Sequence, residues 1–170
     1  MKSESMVLIG MAGVGKSTIG ALLSKALGFD FIDLDDYILE KGGKTVREII
    51  EDEGEEAFLQ LEKRRMYEID LTRSVVAPGG SIIYHSDLME YLRQYSTLVY
   101  LDDSFENIEE RLTSVLDRGI VGLRNKSLRQ IYDERRPLYS RYADITIKCQ
   151  GKSRDQIARE ILHLYLDLRK

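Results

Sequence analysis

The chain has no tryptophan, one cysteine and two prolines in 170 residues. A lone Cys149 excludes an internal disulfide and fits a reducing compartment. Its place beside Ile145-Thr146-Ile147 suggests packing at a strand end, and no histidine or basic cluster stands near it to make a thiol nucleophile. Scarce proline, with no low-complexity or fixed-period segment, leaves no linker at which to cut, so the expectation is one domain over 1–170. No apolar run approaches the roughly 20 residues that span a bilayer. Met1-Lys2-Ser3-Glu4-Ser5 has no apolar core, and the expected location is the cytoplasm. Charge of one sign is also missing, since 25 Lys and Arg stand against 29 Asp and Glu, interspersed. That excludes a chain built to lie on nucleic acid or an anionic membrane and leaves small molecules as the expected partners. Tyrosines near 91–96 and 132–142 suit a contact face or an ordinary core, so the oligomeric state stays open.

What the chain does have is Gly10-Met11-Ala12-Gly13-Val14-Gly15-Lys16-Ser17-Thr18, which matches G-x-x-x-x-G-K-[ST]. It follows Met6-Val7-Leu8-Ile9, an apolar run of the kind a buried parallel strand shows. Behind it, Ile19, Leu22, Leu23, Ala26 and Leu27 recur at helical spacing. Glycines let successive amides turn inward around a polyphosphate. Lys16 is placed to reach the outer phosphates, the Ser17 hydroxyl to enter the shell of a magnesium ion, and the helix to point its positive end at the anion.

Alternating patterns predict strands at 6–9, 30–33, 74–77, 97–101 and 145–148. Helices are expected from Lys16, across 35–73, over 87–94, from near Phe105, through Tyr142 and from Ser153, whose spacing to Gln156 is that of a capping box. This order implies an α/β fold, a five-stranded parallel sheet in three α/β/α layers, with ligands at the carboxyl ends of the strands. At the second strand's end, alternation puts Asp33 and Asp35 on one side, one to hold magnesium through water and one to bind an acceptor hydroxyl. A helix cap at Asp35 or Asp36 is the alternative. Pro78-Gly79-Gly80-Ser81 after the third strand admits a ligand close to the backbone, or simply makes a tight turn. His85 just beyond it lines a pocket or is structural. Asp102-Asp103 suits a helix start. The stretch 117–126, with Arg118, Arg124 and Lys126, suits a mobile cationic lid or a solvated connector. In Glu134-Arg135-Arg136-Pro137 the proline is expected to end or kink its helix.

Taken together and in this order, the chain resembles the shikimate kinase family of small P-loop kinases over nearly its whole length. The resemblance is carried by the phosphate loop with Ile19-Gly20, Phe31-x-Asp33-x-Asp35, Gly54-Glu55-Glu56-Ala57-Phe58, Gly79-Gly80, Arg111, and Arg135-x-Pro137-Leu138-Tyr139 with Ala143-Asp144. It implies a P-loop NTPase fold and ATP-dependent transfer of a phosphoryl group to a hydroxyl of a small polar metabolite. Gly13, Val14, Gly15, Lys16, Ser17 and Thr18 would bind ATP, and Ser17 with Asp33 would serve Mg2+. Asp35, Gly79, Gly80 and Arg135 would bind the acceptor, Arg135 through its carboxylate. Arg111 would lie against adenine, and Arg118 would be the lid arginine that reaches the phosphates. Lys16, Asp35 and Arg118 are the implied catalytic residues.

Three departures concern the acceptor. Leu59 replaces the family arginine that helps hold the carboxylate, which weakens an acidic substrate by roughly ten- to a hundredfold unless Lys63, Arg64, Arg124 or Arg136 substitutes. Ser81 replaces a third turn glycine and adds a side chain near the substrate. The lid carries Arg118-Gly119-Ile120-Val121 in place of arginine-proline-leucine-leucine. The alternatives are therefore a kinase of this fold for a less anionic hydroxyl compound, or a nucleotide-binding regulatory module. A nucleoside or nucleotide kinase would need further cations for the acceptor phosphate.

Overall fold

The computed structural model describes residues 3–113 and 119–170. Its centre is a sheet of five parallel strands, β1 (Met6–Ile9), β2 (Asp30–Asp33), β3 (Ser74–Ala77), β4 (Thr97–Asp102) and β5 (Ile145–Lys148), in the spatial order β2-β3-β1-β4-β5. Register is set by pairs such as Phe31 with Val75, Met6 with Val75 and Thr97, and Tyr100 with Thr146. Because side chains alternate across a strand, Val7, Ile9, Val76, Leu98 and Tyr100 feed one core while Met6, Leu8, Val75, Val99 and Leu101 feed another. The second core is closed by α1 (Lys16–Leu27) and α8 (Arg154–Asp167), through Ile19, Leu23, Ile157 and Ile161. Gly20 is needed in α1 because a Cβ there would stand 2.4 Å from the Phe31 ring. The first core is closed by the remaining helices, α2 (Leu34–Gly42), α3 (Val46–Glu53), α4 (Glu55–Tyr67), α5 (Ser86–Tyr95), α6 (Phe105–Thr113) and α7 (Leu128–Tyr142). The result is the three-layer α/β/α arrangement expected, and the strand order reverses beside β1, with β2 and β3 to one side and β4 and β5 to the other, where a crevice opens at the strands' carboxyl ends. No helix among the described residues is long and apolar enough to cross a membrane.

Local chemistry explains most boundaries. Ser153 and Gln156 form the capping box predicted for α8, and Thr45 with Glu48 and Ser127 with Gln130 form two more at α3 and α7. The helices expected across 35–73 end at Tyr67, because Asp70 accepts from the Thr72 amide at 2.9 Å and Arg73 turns to φ 53° before β3. Pro137 does not end its helix: α7 runs through it to Tyr142. Pro137 is exposed, so the carbonyl it deprives of a partner faces water, while buried Ile131, Tyr132, Arg135, Tyr139 and Tyr142 hold the helix on its inner side. Those tyrosines are thus core, whereas the Tyr91 ring packs at a tilt between the exposed Tyr67 and Tyr95. Cys149 is buried in the second core, as packing at a strand end requires, and burial pushes its thiol up to about 12.

The acidic pair after β4 does more than start a helix. Asp102 is the last residue of β4, 5% exposed, and accepts from Arg136 Nε at 3.2 Å, from Tyr100 at 3.1 Å and from Lys148. It ties α7 and β5 to β4. Burial alone would raise this carboxyl, yet the hydrogen bonds from Lys148, Arg136 and Tyr100 outweigh it and hold it below its ordinary range. A depressed carboxyl contributes stability above its unfolded value, about 3.9, and that contribution is lost as pH falls through the folded value. Asp102→Asn is therefore expected to lower stability at pH 7 by about 1–2 kcal/mol, limited because its cationic partners are largely solvated. The gap to wild type should narrow as urea titrations are repeated from pH 5 towards pH 3. A gap that stays constant over that range would show that the charge is not what stabilises.

Candidate active site

At the end of β1 the chain must turn from strand to helix within Gly10–Gly15. Gly15, at φ 107°, caps α1 without any side-chain hydrogen bond, so the first amides of the helix have no capping side chain. Lys16 is 8% exposed and arches back, its Nζ donating to the carbonyls of Gly10 at 2.7 Å and Met11 at 2.8 Å. Two arginines flank the loop. Arg111 on α6 donates to Asp103 at 2.8 Å and to Gly13 O at 3.4 Å, while Arg154, at the first position of α8, donates to Val14 O at 2.6 Å. Burial and the neighbouring Arg111 pull Arg154 below the ordinary arginine range, a strain that a bound anion would relieve.

Beside the loop, Asp33 ends β2 and caps α2, its Oδ1 accepting from the amides of Asp35 at 3.0 Å and Asp36 at 3.3 Å. Its Oδ2 accepts from the Ser17 hydroxyl. The cap is therefore Asp33, not Asp35 or Asp36, and Asp33 and Asp35 come together through the first turn of α2 instead of through strand alternation. Ser17 and Asp33 make an oxygen-only pair, which suits a small hard cation that keeps most of its ligands as water and phosphate oxygen. Among the described residues no group of three or more His, Cys, Asp or Glu could hold a metal by itself.

One cavity of about 270 Å³ joins these parts to a second end, bordered by Asp35, Phe58, Glu62, Gly79, Gly80 and Arg135. Arg135 is 1% exposed on α7, donating Nε to Tyr84 at 3.2 Å and Nη2 to Val121 O at 2.8 Å. Tyr139, pushed up to about 12 by burial, donates to Gly80 O at 2.6 Å and fixes the turn that carries the glycine. Among the described residues no carboxylate lies within ion-pair distance of Arg135. A buried cation bonded only to neutral groups is expensive unless an anion joins it, and this one faces the cavity.

Gly13, Gly15, Lys16, Ser17, Thr18, Asp33, Asp35, Gly79, Gly80, Arg111 and Arg135 thus border one space; Val14 is buried behind the loop with its side chain in the second core. Arg118 lies outside the described residues, as does Asp117 at the start of the expected lid. Leu59 does not border the cavity: it packs half-buried against the first core. None of the proposed substitutes reaches its corner, because Lys63 pairs with Asp87 at 2.6 Å, Arg124 turns to Ile50 O, Arg136 binds Asp102, and Arg64 is not on the cavity wall. His85 is buried behind the turn, beside Glu62, and not on the cavity wall. Two residues escaped the sequence reading. Glu62 occupies the inward face of α4 between Phe58 and Met66, and Arg154 puts a cation at a helix N-terminus against the dipole. Both were visible as charges in the wrong place.

The shikimate kinase family model matches residues 12–165. The chain is 35% identical over 160 residues to the shikimate kinase of Persephonella marina, spanning 94% of this chain and 97% of that one. Its structure is similar, at a TM-score of 0.91 and 32% identity, to the Acinetobacter baumannii shikimate kinase in complex with shikimate, covering 98% of this chain and 95% of that one. For the shikimate kinase of Aquifex aeolicus the TM-score is 0.79 at 30% identity, with 97% of each covered. A regulatory module or a different acceptor gains no support from these relatives.

Proposed function

This chain belongs to the shikimate kinase family, is an ATP-dependent phosphotransferase acting on a hydroxyl group, and we propose that the hydroxyl is one carried by shikimate itself. Arg135 carries the reading. It is a buried guanidinium at the acceptor end of the cavity with no carboxylate partner among the described residues, which is what an acidic acceptor would require.

In this scheme the loop amides and Lys16 hold the ATP phosphates, with Arg111 and Arg154 on either side of the loop. Ser17 and Asp33 would hold Mg2+, which would supply charge neutralisation at the phosphates. Asp35 binds the acceptor's hydroxyls, the Gly79-Gly80 backbone positions its ring, and Arg135 binds its carboxylate. Arg118, in the lid of a kinase domain taken as 1–170, would add positive charge over the phosphates. Phosphoryl transfer passes through a loose transition state, so positioning and charge stabilisation supply most of the rate and Asp35 need not act as an obligatory base. The requirement for ATP keeps the cytoplasm as the proposed compartment.

ADP release should be followed with Mg2+-ATP against shikimate, shikimate methyl ester and a set of uncharged polyols. Turnover is expected with shikimate at micromolar to millimolar concentrations, with the ester weaker by roughly ten- to a hundredfold for want of its charge. A polyol that outperforms shikimate would assign the site to another acceptor.

A further inference from the structure

Glu62 has no solvent exposure, yet it borders the acceptor end of the cavity from α4. Both of its oxygens lie 3.0 Å from the Ser81 hydroxyl. Its Oε1 also stands 3.6 Å from His85 Nε2, a buried nitrogen that makes no hydrogen bond. Oε2 is so close to the turn that a Cβ on Gly79 would sit 2.9 Å from it. Ser81 belongs to the 3-10 turn Gly80–Tyr84, whose first carbonyl is held from the opposite side by Tyr139. The Gly79-Gly80 backbone is therefore gripped between α4 and α7, and among the described residues the hydrogen bonding from α4 to the turn runs through the Ser81 hydroxyl. Phe58 from the same helix lines the same wall.

We propose that Glu62 and Ser81 act as a positioning pair for the acceptor, the buried carboxylate holding the Gly79-Gly80 backbone in register with Asp35 and Arg135 through the Ser81 hydroxyl. The proposal deepens the reading above and rests on it for the identity of the acceptor. It gives Ser81 a role beyond narrowing the cavity, because its hydroxyl is turned to Glu62. Removing that hydroxyl loosens the turn on the acceptor side and leaves the phosphate loop, held by other contacts, as it was. His85 stands next to the carboxylate but just beyond hydrogen-bond reach, so it cannot replace the serine without movement of roughly 0.5 Å.

A purely structural pair and a positioning pair respond differently to joint replacement. Deleting one partner strands a buried polar group, whereas replacing both by apolar groups of similar size restores stability. Ser81→Ala is therefore expected to lower the melting temperature and to raise the KM for shikimate about tenfold, with the KM for ATP within about twofold. Ser81→Ala combined with Glu62→Met should recover most of the melting temperature while the shikimate KM stays raised about tenfold. The pair is structural only, and the proposal is overturned, if KM recovers together with stability, if both substrates' KM values rise alike, or if neither variant moves the shikimate KM. Failure of the wild-type protein to phosphorylate shikimate would instead sink the acceptor assignment. The same cycle would then be read on the acceptor that the polyol and ester series identifies.

Discussion

Lys16→Ala should lower kcat/KM by about a thousandfold or more while far-ultraviolet circular dichroism stays that of the wild type. The magnitude follows from where the ammonium sits: nearly buried, fixed by two loop carbonyls at 2.7 and 2.8 Å, at the mouth of a loop whose amides face a cavity. A preorganised charge aimed at developing negative charge in a site shielded from water contributes about 10²–10³ in rate for one donor, and phosphoryl transfer has little other catalysis to draw on. The fold should survive, because the glycines and the packing of Val14, Ile19 and Leu23 in the second core shape the loop independently of the lysine. Lys16→Arg should not rescue it, since a planar fork cannot make the same compact contacts with the Gly10 and Met11 carbonyls. A variant that keeps a tenth of wild-type kcat/KM would refute the phosphate-loop assignment.

Arg135→Ala should raise the KM for shikimate about a hundredfold and leave the KM for ATP within a few-fold. A charge-assisted hydrogen bond is worth about 1.5–3 kcal/mol, and no second cation from positions 63, 64, 124 or 136 borders the cavity to share the load. The decisive comparison uses shikimate methyl ester, on which wild type and variant should differ little, because the group proposed to bind Arg135 has been neutralised. Arg135→Lys keeps the charge but loses the fork that reaches Tyr84 and Val121, so an intermediate loss of about tenfold is expected. Equal losses on the acid and the ester would mean that Arg135 shapes α7 and does not bind a carboxylate. The large effect predicted here is a consequence of Leu59. Where two cations share an anion, losing one is buffered by the other.

The phosphate loop could be read from residue order because its conformation is local: glycines at 10, 13 and 15 carry positive φ, and the next side chain is the lysine that arches over them. The same holds for the capping boxes at Thr45, Ser127 and Ser153, each closed within four residues. Alternation of apolar runs with helical patterns was equally legible, since a parallel strand buried on both faces is nearly continuously apolar, as β1 is throughout and β3 is after Ser74. Helix ends that depend on distant packing were not. The passage of α7 through Pro137 follows from which side of the helix faces solvent, and the ties from Asp102 to Arg136 and Lys148 join residues up to 46 apart in sequence.

Sequence alone therefore determined the strand order along the chain, the anion-binding loop and the family. Those depend on backbone chemistry within a few residues or on patterns repeated along the whole chain. Only the tertiary structure decided that Leu59 faces the core, that Arg135 is buried without a carboxylate partner among the described residues, and that Glu62 turns to Ser81. Which way a side chain points on a helix packed against three neighbours is fixed by the space those neighbours leave, and residues far apart in the chain supply that space.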